Sequence, residues 1–310
     1  MRLIGIGDNV CDVYFHLAEM FPGGQALNVA VFAKTLGAES AYMGVFGDDE
    51  AAEHNQKTLA ELEVDCSHCR REHAANAFAC VTLVNGERVF FASNLGGASK
   101  KYPLLLNDDD IAYIRQFSVA HTSNNSFFDG QIPVLYETGV PISYDFSDQW
   151  INDREWAEGL AKFCTFGFMS LPDQVAKDEI LPCCEKMHAC GCKYIVATNG
   201  SRGAYFYDGR NFWFQQSHLV PAIDTLGAGD SYAASFLVHF YNSTESDPEA
   251  MANDPLYYET AVKKGLEAAA ECSSRVCLNT GAFNHGKKII PEEYLNHKEL
   301  VWRKGVKRNR

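Results

Sequence analysis

Apolar residues along this chain of 310 residues fall into short runs separated by amphipathic stretches. Leu3-Ile4-Gly5-Ile6, Ala41-Tyr42-Met43-Gly44-Val45, Val119-Ala120-His121-Thr122 and Ile142-Ser143-Tyr144-Asp145 are nearly continuous apolar segments of strand length. Cys164-Thr165-Phe166-Gly167-Phe168 and Tyr194-Ile195-Val196-Ala197-Thr198 repeat the pattern in the second half. The intervening stretches have helical periodicity. Residues Ala26 to Leu36 end at Gly37, a residue suited to a helix C-terminus. Asp49 to Leu62 carries Glu50, Glu53, Lys57 and Glu61 on one side. Buried strands alternating with helices predict a mostly parallel sheet covered on both faces.

Two regions break this rhythm. Val10 to Leu17 alternates in polarity, as do Ala79 to Val84 and Arg88 to Ala92, the latter two joined by the hairpin signal Asn85-Gly86-Glu87. These segments predict a small second sheet. Asn242 to Pro255 is polar and predicts a loop, and the basic end Arg303 to Arg310 predicts a solvated tail. No internal repeat is found.

The strongest chemical signal is Asp224-Thr225-Leu226-Gly227-Ala228-Gly229-Asp230, followed at once by the helix-like Ser231 to Leu237. Gly227, Ala228 and Gly229 let backbone approach a ligand closely, and their N–H groups at a helix N-terminus suit an anion. A carboxylate there repels phosphate, but Asp230 suits a base that takes a proton from an attacking hydroxyl. The bland alternative is an Asp capping a helix after a glycine turn. No Gly-x4-Gly-Lys-Ser/Thr is present, so a P-loop is excluded and a helix-terminus cradle becomes more necessary. Gly5-Ile6-Gly7 lacks the third glycine of a dinucleotide fingerprint and is followed by alternation rather than a helix.

The heptapeptide resembles the second signature of the ribokinase-like (PfkB) carbohydrate kinases. Gly23-Gly24-Gln25-Ala26-Leu27-Asn28-Val29-Ala30 is similar to the first, the glycine pair and asparagine that meet sugar hydroxyls. Thr198-Asn199-Gly200-Ser201-Arg202-Gly203 and Gly44-Val45-Phe46-Gly47-Asp48-Asp49 match two further segments, in the family's order, and the resemblance runs from about Leu3 to about Phe283. It implies a three-layer α/β sandwich over 1–284 with a β lid from about 9–20 and 77–98, plus an extension at 285–310. Gly7 to Tyr14 and Asp145 to Trp150 are similar to the branch that phosphorylates fructosamines such as fructoselysine, at the 6-hydroxyl. Fructose, ribose or a nucleoside as acceptor, and a non-catalytic sugar sensor, are the alternatives.

On this resemblance Asp230 is the base and Gly227, Ala228 and Gly229 form the anion cradle. Asp8, Asn9, Asp12, Gly23, Gly24, Asn28 and Asp145 belong to the acceptor side, with Asp148 also in the cleft. Thr198, Gly200, Ser201, Gly203 and Thr225 belong to the nucleotide side. ATP and Mg²⁺ are implied, and Asp224 is assigned to a monovalent cation, potassium, although the spacing after Ala268 is longer than usual. Phe168 to Asp173 lacks the asparagine that helps organise Mg-ATP in relatives, Asn199 replaces an apolar residue with little expected effect, and His121 is left out of catalysis. Several carboxylates on the acceptor side favour a substrate with an ammonium group, as a fructosamine has.

Composition narrows the rest. The net charge of −13 opposes binding to nucleic acid. No apolar run is long enough to span a bilayer, the first residues read as a strand rather than a signal peptide, and a cytoplasmic enzyme is expected. The 11 cysteines are expected as thiols, with Cys66-Ser67-His68-Cys69 and Cys183 to Cys192 as weak zinc alternatives. A homodimer through the lid is a family expectation.

Overall fold

The computed structural model describes residues 1–84 and 87–303. Its strands, in chain order, are β1 (Arg2–Gly7), β2 (Val10–Tyr14), β3 (Glu19–Gly23), β4 (Glu39–Phe46), β5 (Arg70–Arg71), β6 (Ala77–Val84), β7 (Glu87–Ser93) and β8 (Val119–Ser123). They continue as β9 (Ile142–Asp145), β10 (Phe166–Ser170), β11 (Tyr194–Thr198), β12 (Ala204–Tyr207), β13 (Phe212–Gln215), β14 (Lys287–Lys288) and β15 (Val301–Trp302). The large sheet has the order β13-β12-β11-β10-β9-β8-β1-β4-β5. All its pairings are parallel except β11–β12 and β12–β13, which are antiparallel.

Each central strand is apolar throughout because it packs on both faces. Ile4 and Ile6 of β1 point into one core with Ala120 and Ile195, while Leu3 points into the other with Val119, Phe166 and Val196. Each fully buried Leu, Ile or Phe contributes roughly 1.5–3 kcal/mol, so these two layers dominate stability. Helix Ala228–Ser246 fills the second layer with Phe236, Leu237 and Val238, packed beside helix Pro255–Val276.

The second sheet has the order β14-β3-β2-β6-β7-β15. Its outer face buries Cys11, Val13, Met20, Phe78 and Cys80 beneath helix Glu50–Glu61 and the C-terminal residues Ile289, Tyr294, Leu295, Leu300 and Trp302. Its inner face presents Tyr14, Phe21 and Val81. Residues 287–302 of the segment set apart as 285–310 are thus woven into the lid. Lys287 pairs with Met20 at one edge, and Val301 pairs with Ser93 at the other. Strands β6 and β7 pair antiparallel, as a hairpin requires. The turn residues Asn85 and Gly86, and the end Lys304–Arg310, lie outside the described residues.

The polar stretch from Asn242 to Pro255 is helical, not a loop. Helix Ala228–Ser246 runs into it, and helices Pro248–Asn253 and Pro255–Val276 follow. Both later helices begin with an aspartate cap followed by proline. Asp247 accepts from the Ala250 N–H at 2.9 Å, and Asp254 from the Leu256 N–H at 2.9 Å. The strand predicted at 164–168 is displaced to Phe166–Ser170, and β3, β12 and β13 were not foreseen.

Candidate active site

The signature loop enters helix Ala228–Ser246 through Gly227, whose φ of 77° is left-handed. A Cβ at Gly227 would stand 2.8 Å from the Ala282 Cβ, so glycine is required on two counts. A Cβ at Gly229, in contrast, would meet nothing within 4 Å. The open side of the first turn therefore has room for a ligand against N–H groups that have no partner inside the helix. Ala228 and Gly229 line a cavity of ≈ 440 Å³ together with Thr198, Gly200, Ser201, Gly203 and Thr225. Every residue assigned from sequence to the nucleotide side is in that lining. Its remaining wall, with Leu171, Leu219, Val220 and Tyr232, is apolar enough for a planar base. The Tyr232 hydroxyl is buried there with no hydrogen-bond partner among the described residues.

The loop is pinned from behind. The Ile223 and Asp224 N–H groups donate to the Cys277 carbonyl at 2.8 and 3.2 Å. Both oxygens of Asp224 accept hydrogen bonds: Oδ1 from the Leu226 N–H at 3.0 Å, and Oδ2 from the Gly281 N–H at 3.0 Å and the Tyr14 hydroxyl at 2.6 Å. The carboxylate assigned to a monovalent cation ties the lid strand β2 and the C-terminal segment to the loop.

Asp230 faces a second cavity, of ≈ 530 Å³, lined also by Asp8, Asp12, Gly24 and Asn28. Its Oδ2 accepts from Asn28 Nδ2 at 2.7 Å, across the two helix N-termini. The Asn28 Oδ1 is buried and without a partner among the described residues, free to accept from a ligand hydroxyl. Burial pushes the Asp230 carboxyl well above the usual range; the Asn28 bond works against this, and the negative charges of Asp145, Asp8 and Asp12 add to the rise. Asp145 is pushed up to about 6, chiefly by burial.

The other acceptor-side residues divide. Asp8 lines the cavity but is heavily engaged. Its Oδ2 accepts from the Gln25 N–H at 2.7 Å, and its Oδ1 from the Ala26 N–H at 3.1 Å and the hydroxyls of Ser123 and Ser126 at 3.2 and 3.0 Å. It anchors the N-terminus of helix Gln25–Thr35 and thereby the position of Asn28. Gly24 has φ 107°, and a Cβ there would lie 2.7 Å from the Asp8 carbonyl oxygen. Gly23 lies in β3, where a Cβ would press on Asp12 Oδ2 at 2.5 Å. Asn9 does not line the cavity: it is fully buried, and its amide donates to the Tyr42 hydroxyl and the Val45 carbonyl, both at 3.0 Å. Asp148 is exposed rather than deep in the cleft.

Several contributors were not foreseen. Gln25 bridges Asp145 Oδ2, at 3.1 Å, and Asn125, at 2.8 Å. It stands inside the glycine-pair motif, which was the available signal. Asn199 is not neutral either: it is buried and holds the Arg202 Nε at 2.9 Å, while Arg202 Nη2 reaches Asp173 at 2.7 Å. Lys100 and Arg303 also line the acceptor cavity, and nothing local in the sequence marked them. His121 is buried, with Nδ1 2.9 Å from Ser143 Oγ, and burial lowers its pKa to about 3. Burial pushes the Cys184 and Cys192 thiols up to about 12, and Cys69 donates to the Tyr42 carbonyl at 3.2 Å. Among the described residues no group of three metal-binding side chains converges, and no helix is long and apolar enough to cross a membrane.

The chain is similar to known proteins both in sequence and in fold. The chain is 35% identical over 287 residues to the fructosamine kinase FrlD of Bacillus subtilis, covering 92% of this chain and 94% of that protein. It is 33% identical over 251 residues to the fructoselysine 6-kinase of Shigella flexneri, covering 81% of this chain and 93% of that one. Among solved structures, the ribokinase of Giardia lamblia superimposes with a TM-score of 0.78 at 16% identity, over 95% of this chain and 99% of that chain. The fructokinase of Xylella fastidiosa with bound ATP gives 0.73 at 17% identity, over 95% and 97%. The family described as pfkB family carbohydrate kinase matches residues 2–143 and 165–284. A match over that much of both halves establishes that the chain belongs to the pfkB carbohydrate kinases, enzymes that transfer a phosphoryl group to a sugar hydroxyl.

Proposed function

We propose that this enzyme transfers the γ-phosphoryl group of ATP to the 6-hydroxyl of a fructosamine such as fructoselysine. The observation that carries the reading is the position of one helical turn between two cavities. Ala228 and Gly229 line the nucleotide side, and Asp230 lines the acceptor side. In the proposed reaction the γ-phosphate rests against the N–H groups of that turn. Asp230 takes the proton of the attacking hydroxyl as its oxygen bonds to phosphorus and the bond to ADP breaks. Asn28 holds the Asp230 carboxylate and offers Oδ1 to the sugar. Asp12, buried in the same lining, is read as a sugar-side acceptor.

The ammonium of a fructosamine fits this site for an electrostatic reason. Burial raises the carboxyls of Asp230 and Asp145, and the negative charges of neighbouring carboxylates, Asp8 among them, add to the rise at both. A cation bound beside them restores the ionised form that a base requires. The fructosamine and fructoselysine kinases among the relatives support the same substrate class.

Magnesium is read as arriving with ATP, where it would neutralise charge on the phosphates. Asp224, whose oxygens accept from protein donors, is also read as a side-chain ligand of a monovalent cation. With ATP as donor, the reaction belongs in the cytoplasm. A homodimer through the lid would have to join the outside of residues 287–302, because that segment covers the lid's apolar face; sedimentation tests it.

The deciding experiment is ADP release from Mg-ATP with fructoselysine, other fructosamines, fructose, ribose and adenosine, with Asp230→Asn alongside. Fructosamine turnover, reduced by about 10²–10⁴ in the variant, is expected. Turnover confined to a neutral sugar would overturn the substrate, and none with any acceptor would favour a sugar sensor.

A further inference from the structure

The acceptor cavity has a cationic rim opposite its acidic interior. Asp8, Asp12 and Asp230 are each less than 10% exposed, whereas Lys100 and Arg303 line the same cavity from exposed positions. Lys100 lies in the last turn of helix Gly97–Lys101, and its ammonium lies 5.9 Å from the centre of the Phe127 ring. Arg303 follows β15, where its N–H donates to the Phe91 carbonyl at 2.9 Å, and its guanidinium lies 5.3 Å from the centre of the Phe90 ring. Phe90 and Phe127 line the cavity too. Each cation is thus held over an aromatic face beside the opening. Among the described residues neither forms an ion pair. Arg303 lies beyond the last residue of the family match, 284, so it comes from outside the shared kinase framework.

A neutral sugar has no group for two such cations, and the phosphate cradle is on the other side of Asp230. The acceptor proposed above has one. Beyond its hydroxyls and its secondary ammonium, a fructosylated amino acid carries a carboxylate on the part that projects from the sugar. Resting on that reading of the acceptor, we propose that Lys100 and Arg303 form a carboxylate subsite at the cavity rim. This subsite selects fructosyl amino acids over fructosamines that lack an acid group. The polarity of the cavity then matches the substrate in order, with carboxylates around hydroxyls and ammonium inside and cations around the carboxylate outside.

The test compares Nε-fructosyllysine with mono-fructosyl-1,5-diaminopentane, the same molecule without its carboxylate. The readout is the ratio of their kcat/KM values in the wild type, Lys100→Gln, Arg303→Gln and the double variant. The wild type should prefer the acid, and each single variant should lower the ratio by about fivefold, the upper range for a solvent-exposed ion pair. The double variant should lower it further than either single variant, but by less than the product of the two, because both cations act on one carboxylate. A wild-type ratio near one overturns the subsite and leaves the fructosamine reading standing. So does an equal loss on both substrates, or a loss that appears in the KM for ATP. Turnover of neither compound, with fructose still phosphorylated, removes the fructosamine reading and the subsite with it.

Discussion

Replacing Asp145 by asparagine should stabilise this enzyme at neutral pH, and the structure sets the size of the effect. Asp145 ends β9 with only 8% of its surface exposed. Its carboxylate accepts from the Ser147 N–H at 2.7 Å and from Gln25 Nε2 at 3.1 Å. These bonds do not offset burial, and the pKa stands at about 6 against an ordinary 3.8. The native state therefore keeps a proton that the unfolded chain has already released as pH rises between those values. Whatever this carboxyl contributes to stability is present below 3.8 and lost as pH climbs through about 6, a change of about 3 kcal/mol. An amide carries no charge to desolvate and recovers that loss. It also places an NH₂ group against Gln25, whose own oxygen already accepts from Asn125, at a cost of about 1 kcal/mol. Urea unfolding of Asp145→Asn should then show a gain of about 2 kcal/mol at about pH 7.5, shrinking as pH falls through about 6 and absent near about pH 4. A variant less stable than wild type at about pH 7.5, or a gain constant with pH, would refute the reasoning. The same variant should bind a cationic acceptor more weakly, because it removes a negative charge from the cavity's surroundings.

Two other substitutions probe the loop that carries the helix. Tyr14→Phe removes a 2.6 Å bond to the Asp224 carboxylate, worth about 1.5–3 kcal/mol for a charged acceptor, and should speed amide exchange in β2; unchanged exchange there would show that the lid is held by other contacts. Gly227→Ala forces a side chain into φ 77° and into Ala282, so urea stability should drop by at least about 1–2 kcal/mol and ATP affinity with it, and a variant as stable as wild type would contradict the geometry.

The parts of this fold that the sequence displayed are those where a single physical demand acts on a contiguous segment. Strands β1, β8 and β11 are buried on both faces, so their apolar runs name them directly. The small residues around Asp230 announce a close backbone approach. Where two demands overlap, the pattern misleads. Asp247-Pro248 and Asp254-Pro255 look like loop residues but cap and start helices. Strand β12 and the edge strand β13 are rich in aromatics, with Tyr205, Tyr207, Phe212 and Phe214 on one face and Phe206 and Trp213 on the other, so their alternation is blurred. Asn9 and Asp12 are polar residues near the start of the chain, and composition cannot tell that one faces the cavity while the other braces Tyr42. The cationic rim joins residue 100 to residue 303, a proximity that only the folded lid creates.

The way the lid is assembled also bears on how the chain reaches its native state. Its strands come from the first 23 residues, from residues 77–93 and from the last described residues, with Lys287 beside Met20 and Trp302 beside Ala92. Contacts so distant in sequence form slowly, because much of the chain must be ordered before they can close. During synthesis the large parallel sheet has all its strands by residue 215, while the lid still lacks both edge strands and the residues that cover its outer face. Once helices Ala228–Ser246 and Pro255–Val276 have followed, the nascent chain carries a nearly filled core next to an open-edged, apolar sheet, a surface prone to wrong pairing. The residues that shield it, between 289 and 302, emerge after all of these, so competence to close over a sugar arrives late in the making of each molecule.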